Sequence, residues 1–199
     1  IAKRIVKEGL DVSWSASSRV DLFTDEVAEA MKRGGCHTVY FGIESGSSKT
    51  LEFIDKRITP EQSISAVKKA KRHKLRALGA FIIGFPEESK EDVEKTIKFS
   101  KKVGVDYAQF TIATPYPGTR LWNYALSRKL IRTFDWKKYT TLDPVMRLKN
   151  FTTNQIRKLF RKAYVNFYLR PSYVIKDLIL RKGFTFRRAI SGIIKWLNR

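Results

Sequence analysis

At 199 residues, with 43% hydrophobic and 13% aromatic content, the chain has the apolar surface of a packed domain and is not intrinsically disordered. Its single cysteine, Cys36, excludes an intrachain disulfide, and no uninterrupted apolar run approaches the length of a bilayer span. The net charge of +21 is uneven: from residue 150 onward 12 Lys/Arg stand against one acid, Asp177, and the preceding residues hold 28 basic and 18 acidic ones. That asymmetry points to an anionic partner for the C-terminal part.

Ile1 to Leu10 reads as the end of a helix stopped at Gly9. An opening without Met, already inside an amphipathic pattern, suggests a chain cut from something longer. Val12 to Arg19 alternates loosely, as a strand leaving into a polar turn. Thr24 is placed to cap a helix with Asp25 and Glu26 in its first turn, and Gly34-Gly35 stops it. Then Val39, Tyr40, Phe41 and Ile43, broken only by Gly42, run straight into Glu44. Apolar residues at successive positions predict a strand covered on both faces, as in a parallel α/β sheet. Glu44 would then sit at the carboxyl end, where such sheets bind ligands.

Ser48 to Asp55 is a short helical stretch. Thr59-Pro60-Glu61-Gln62 combines a capping residue, a first-turn proline and a glutamine three positions on, and the helix continues to about His73. Leu75 to Ile83 is the next strand, ending in Gly84-Phe85-Pro86-Glu87-Glu88-Ser89. Ser89 and Asp92 repeat the capping spacing for a helix that Gly104 ends. Val105 to Ile112 is a further strand, leaving through Thr114-Pro115-Tyr116-Pro117-Gly118-Thr119.

Strands near residues 12–18, 38–43, 76–83 and 106–112 thus alternate with helices, which predicts an α/β fold of parallel βα units with right-handed crossovers. Four strands cannot close a barrel of eight, leaving an open sheet or an incomplete barrel. Beyond Asp143 the pattern turns all-helical. Thr152 and Gln155 open a helix striped by Ile156, Leu159, Phe160, Ala163, Tyr164 and Phe167, and Ser172 opens another that Gly183 ends. Phe186 to Leu197 forms an amphipathic basic stripe, able to lie on an anionic membrane or to pack on another domain. The expected division is 1–143, the α/β part, and 144–199, a basic helical extension.

The sequence contains no P-loop, no dinucleotide glycine fingerprint and no metal-binding His/Cys cluster, so no metal site is expected. His37 and His73 fall in separate surface-like positions, and Cys36 reads as a buried structural thiol. The chemistry sits at the strand ends. Glu44 at one rim, Ser17 and Arg19 at a neighbouring rim and the Gly84 turn at a third can converge on one ligand. An ionised carboxylate accepts two ribose hydroxyls, and Arg19 or Lys56 can pair with a ligand carboxylate. Gly84 would let backbone approach an adenine or ribose with no side chain between.

Five stretches occur in order: Trp14-Ser15-Ala16-Ser17-Ser18-Arg19-Val20-Asp21, Phe41-Gly42-Ile43-Glu44-Ser45-Gly46-Ser47, Ile54-Asp55-Lys56, Phe81 to Ser89, and Pro115-Tyr116-Pro117-Gly118-Thr119. Together they resemble the radical SAM superfamily, most closely the branch with an N-terminal cobalamin-binding domain. The resemblance runs over roughly residues 1–125. It implies a partial (βα) barrel of six units that binds a 4Fe-4S cluster and S-adenosylmethionine, with about four units, the third to sixth, present here. It makes Glu44 a ribose or methionyl contact on the fourth strand. Ala80 to Glu87 becomes the fifth-strand motif beside the adenine, with alanine where that motif often has glycine. Glu87 stands where relatives usually have glycine, which leaves open whether Glu87 or Glu88 takes the motif role. Ser17, Arg19 and Lys56 resemble polar positions near the cofactor, and Pro115 and Tyr116 would border the substrate opening.

The family's three-cysteine loop is not in this chain, and one cysteine cannot hold a 4Fe-4S cluster. The resemblance therefore implies the C-terminal portion of a radical SAM enzyme, cobalamin-dependent, inactive alone and taking up no iron on anaerobic reconstitution. The whole enzyme would cleave S-adenosylmethionine reductively to a 5′-deoxyadenosyl radical for methylation or C–C bond chemistry on an unactivated lipid or tetrapyrrole. Expected partners are the missing N-terminal part of the same polypeptide, a small-molecule or lipid substrate and an anionic membrane surface. The expected location is cytoplasmic, peripheral at the inner membrane surface. Two alternatives are a tRNA-modifying radical SAM enzyme, suggested by charge, and a non-catalytic truncated copy acting as a binding piece. Nucleic acid is the less favoured partner, since no stacking aromatics interleave with a basic face in the sequence.

Overall fold

A computed structural model describes residues 1–181; the basic stripe of residues 186–197 and the Gly183 helix stop lie outside them. Four strands form one parallel sheet in the order β1-β2-β3-β4: β1 (Trp14–Ser18), β2 (Cys36–Glu44), β3 (Arg76–Ile83) and β4 (Tyr107–Ile112). Helix α1 (Ala2–Lys7) precedes β1, and α2 (Asp25–Arg33) links β1 to β2. Helices α3 (Ser48–Phe53) and α4 (Pro60–Arg72) link β2 to β3, and α5 (Lys90–Lys102) links β3 to β4. Then follow α6 (Arg120–Ser127), α7 (Thr153–Tyr168) and α8 (Pro171–Arg181). The α/β class and the succession of parallel βα units agree with the sequence reading.

Helix starts follow their caps. The Thr24 hydroxyl accepts from the Val27 N–H, and Thr59, Ser89 and Thr152 each complete a capping box with Gln62, Asp92 and Gln155. Helix α6 has no counterpart in the sequence reading, although the Thr119 hydroxyl caps it on the Trp122 N–H. Helix α8 starts at Pro171 rather than Ser172, because proline in the first turn gives up only an N–H that has no helical partner.

The sheet has two unlike faces. On one, Val39, Phe41, Ile43, Ala77, Phe81, Ile83, Ala108, Phe110 and Ile112 are buried in a common core with the inner sides of α2, α4, α5 and α7. Phe81 stacks on Phe110 at 5.4 Å, and Phe23 meets Phe41 edge-on at 5.0 Å. On the other face Ser17 pairs in register with Tyr40, and Gly42 with Ala80 and then Gln109. This face stands open; Tyr40 is 40% exposed. The expectation that β2 is covered on both faces is thus corrected. With strand order equal to chain order, right-handed crossovers put every connecting helix on the same side, as in the wall of a barrel.

The helical extension packs back on the sheet. Ile156, Leu159, Phe160, Ala163 and Phe167 join the same core, and two α7 tyrosines serve the outer edge of β4. The Tyr168 hydroxyl donates to the Ala108 carbonyl at 2.8 Å and accepts from the Ala108 N–H at 3.1 Å. Tyr164 does the same for Phe110, at 3.0 and 3.2 Å. At the opposite edge, β1 has no strand outside it among the described residues.

Candidate functional site

Glu44 ends β2 with φ at 65°, a left-handed backbone, directly at a bulge where Gly42 pairs with Ala80 and Glu44 with Phe81. Bulges re-aim side chains, and here the carboxylate stands over Gly42. A Cβ on Gly42 would lie 2.7 Å from Glu44 Oε1 and 3.0 Å from Lys56 Nζ. That space is used: Lys56 Nζ donates to Glu44 Oε1 at 2.7 Å, the two side chains 22% and 15% exposed. Beside them Arg19 grips Asp21 through two hydrogen bonds of 3.0 and 2.9 Å. Those bonds hold the Asp21 carboxyl below its ordinary value, with Lys56 adding to the pull, and hold the Arg19 guanidinium above its own. Glu44, Lys56, Arg19 and Asp21 thus form one charged cluster at the carboxyl ends of β1 and β2, with Ser17 on the adjoining open face.

Beneath this rim lies a buried polar network. The Ser45 and Thr96 hydroxyls are 2.7 Å apart, and the Gly46 N–H donates to Thr96 Oγ1 at 3.1 Å. The Ser47 hydroxyl donates to Asp92 Oδ1 at 2.7 Å, while Asp92 Oδ2 accepts from the Ser89 N–H at 3.0 Å as the cap of α5. Burial alone would raise the Asp92 carboxyl; the hydrogen bonds from Ser89 and Ser47 outweigh it and bring it below its ordinary value.

The third rim is a packed turn. Gly84 is left-handed (φ 83°), and the room its missing Cβ leaves is bounded by Ile156 of α7, 3.1 Å away. Its N–H donates to Glu88 Oε2 at 2.6 Å, and the Phe85 N–H follows at 3.2 Å. Glu88 is 3% exposed, with Thr50 Oγ1 on its other oxygen at 3.3 Å. Burial pushes its carboxyl up to about 7 against the pull of those donors. Glu88 therefore folds the turn from within. Glu87 faces α6, where the Tyr124 hydroxyl donates to it at 2.7 Å and holds its carboxyl low, with Lys149 at 3.6 Å. Pro115 is buried, and Tyr116 is half-exposed with its hydroxyl on the Tyr139 carbonyl.

So the structure gathers Glu44, Lys56, Arg19 and Ser17, and places Gly84, Glu87, Glu88, Pro115 and Tyr116 on separate supports around the same end of the sheet. The two histidines have partners: His73 Nε2 lies 2.9 Å from Asp25 Oδ1, and His37 Nδ1 lies 2.8 Å from the Thr38 hydroxyl. Cys36 is buried, its thiol pushed up by that burial. Gly42 and Asp21 were not singled out from the sequence; Gly42 is signalled only by a small residue two positions before the rim carboxylate.

Residues 1–100, half of the chain, match the sequence profile of the Radical SAM superfamily. The chain belongs to the radical SAM superfamily. This radical SAM chain is 64% identical over 195 residues to the uncharacterized methyltransferase PH0819 of Pyrococcus horikoshii, covering 98% of this chain and 42% of that one. It is 30% identical over 171 residues to the bacteriochlorophyllide d C-12(1)-methyltransferase of Chlorobaculum tepidum, covering 85% and 37%. Among solved structures it resembles the radical S-adenosylmethionine methyltransferase TsrM of Kitasatospora setae, with a TM-score of 0.58, 18% identity and coverage of 66% and 27%. The radical SAM chain thus spans 42% or less of the length of these relatives. Its four parallel strands are part of the radical SAM partial barrel.

Proposed function

We propose that the chain is the S-adenosylmethionine-binding portion of a cobalamin-dependent radical SAM methyltransferase, with the ligand on the open face at the ends of β1 and β2. The observation that carries this reading is Glu44, held left-handed at a bulge over a glycine, with Lys56 on its carboxylate. The donor set fits the cofactor. A carboxylate accepts from ribose hydroxyls or a methionyl ammonium, Lys56 is the cation for a ligand carboxylate, and Gly42 leaves the clearance. When bound, S-adenosylmethionine would supply the methyl and radical chemistry; these residues would bind it, orient it and keep water out.

A 4Fe-4S cluster does not fit this chain. Its sole cysteine, Cys36, is buried at the start of β2, and among the described residues no three His, Cys, Asp or Glu side chains are grouped as metal ligands. The cluster and cobalamin would then be held by the rest of the polypeptide, whose first strands would pair along the free edge of β1. Relatives named as bacteriochlorophyllide d methyltransferases support a tetrapyrrole as the target. Glu44→Ala in the full-length protein should weaken S-adenosylmethionine binding by roughly 1–3 kcal/mol, the scale of lost charge-assisted hydrogen bonds. Calorimetric titration reads this directly. Unaltered affinity would take Glu44 out of the site and the reading with it.

A further inference from the structure

Beside the exit of β4 lies a surface that the cofactor cluster does not use. The Tyr116 hydroxyl donates to the Tyr139 carbonyl at 2.8 Å, which holds the loop around residues 133–139 against the rim. On that loop Trp136 lies nearly parallel to Trp122 of α6, 6.0 Å between centroids, with Tyr139 at 4.8 Å; Phe134 meets Trp122 edge-on at 6.1 Å. Tyr139 is buried, but Phe134 and Trp136 are 58% and 56% exposed. Residues 116–142 carry six Lys/Arg and a single acid, Asp135. Arg120 pairs with Asp55 at 3.2 Å, tying α6 to the loop that bears Lys56 and setting this surface next to the cofactor cluster. Flanking Trp136 in sequence, Arg132 and Lys138 line a cleft of about 440 Å³ together with Arg157 and Thr153 at the start of α7. Asp143, paired with Arg157 at 2.9 Å, is the acid in that lining.

We infer that this surface seats on an anionic lipid bilayer, with Trp136 and Phe134 in the headgroup–acyl boundary and the cleft cations on lipid phosphates. Exposed aromatic rings beside Lys and Arg match such a boundary in both polarity and charge. A nucleic acid would need open ring faces for its bases, whereas Trp136 already has Trp122 stacked on it and Tyr139 against it. A bilayer here would adjoin the Glu44–Lys56 cluster, so an apolar substrate could pass from lipid to the open face without crossing water. Only that consequence rests on the proposed function; the docking does not.

Co-sedimentation of the intact chain with phosphatidylcholine vesicles, with and without a phosphatidylglycerol fraction of about one third, tests it. The chain should pellet with the anionic vesicles alone. Phe134→Ala with Trp136→Ala should lower the partition about tenfold or more, and Lys137→Glu with Lys138→Glu likewise, although the basic residues beyond 150 are untouched. Both pairs are exposed, and an unchanged thermal unfolding curve confirms that the fold is kept. No pelleting, or variants that pellet like the parent, would overturn the inference. So would an RNA gel shift that the same variants abolish while vesicles fail to bind. Titration of Glu44→Ala with S-adenosylmethionine is a separate readout, so either idea can fail without the other.

Discussion

Two glutamates close to the rim are put to different uses by their surroundings. Glu44 stays on the open side with a lysine on it, whereas Glu88 is enclosed by its own turn. Because burial lifts the folded Glu88 carboxyl to about 7 from an ordinary 4.5, the native state binds that proton more tightly than the unfolded chain. Its contribution to stability is therefore complete below the ordinary value and is lost as pH climbs through about 7. In urea titrations the midpoint should fall from about pH 5 to about pH 8. Glu88→Gln, which keeps an acceptor for the Gly84 N–H, should flatten that slope; an equal slope would mean that Glu88 does not titrate in this range. Gly42→Ala probes the other carboxylate. Its methyl would press on the ends of two flexible side chains, 2.7 Å from Glu44 Oε1, so the fold should survive while the pair opens. S-adenosylmethionine affinity of the full-length protein should drop roughly tenfold with little change in unfolding temperature. Glu44 was legible in the sequence because a carboxylate directly after an apolar strand is conspicuous. The enclosure of Glu88 was not, since it depends on Thr50 and on the path of the Gly84 turn.

At the scale of elements, α7 takes the place of a fifth strand. One i to i+4 step along a helix rises about 6.0 Å, and two residues along a parallel strand advance about 6.6 Å. Tyr164 and Tyr168 can therefore meet Phe110 and Ala108 in step. Burial raises both phenols, which keeps them protonated, able to donate and accept at once. Tyr164→Phe and Tyr168→Phe should each cost about 1–3 kcal/mol by orphaning a backbone N–H and carbonyl. The double variant should also self-associate along the bared edge of β4. Urea unfolding and light scattering measure the two effects; a double variant as stable and monodisperse as the parent would show that water serves that edge equally well. The stripe of α7 was readable from the 3.6-residue period. The work of its hydroxyls was not: Tyr164 reads as one more apolar position until a strand 54 residues earlier lies against it. Helix α6 was missed for a plainer reason, being eight residues long behind a Pro-Gly turn.

For the molecule as a whole, chain-order strands and one-sided helices explain both the open face and the clustering of the candidate site residues at one end. The sequence showed which residues end strands, and thus which could share a rim. It could not show which of those ends face inward, nor that Ile156 of α7 packs against Gly84. No helix among the described residues is long and apolar enough to cross a membrane.

Asp92 has a consequence for how occupancy would be felt elsewhere. One oxygen starts α5 at Ser89 and the other holds Ser47 in the turn after Glu44, so one carboxylate ties the start of that helix to the rim. Saturating the full-length protein with S-adenosylmethionine at about 100 times its dissociation constant adds about 2.7 kcal/mol against any opening that dismantles the rim. Amides of the first turn of α5, which need never touch the ligand, should then exchange with deuterium up to about a hundredfold more slowly. The helix cap would serve as a remote gauge of cofactor loading.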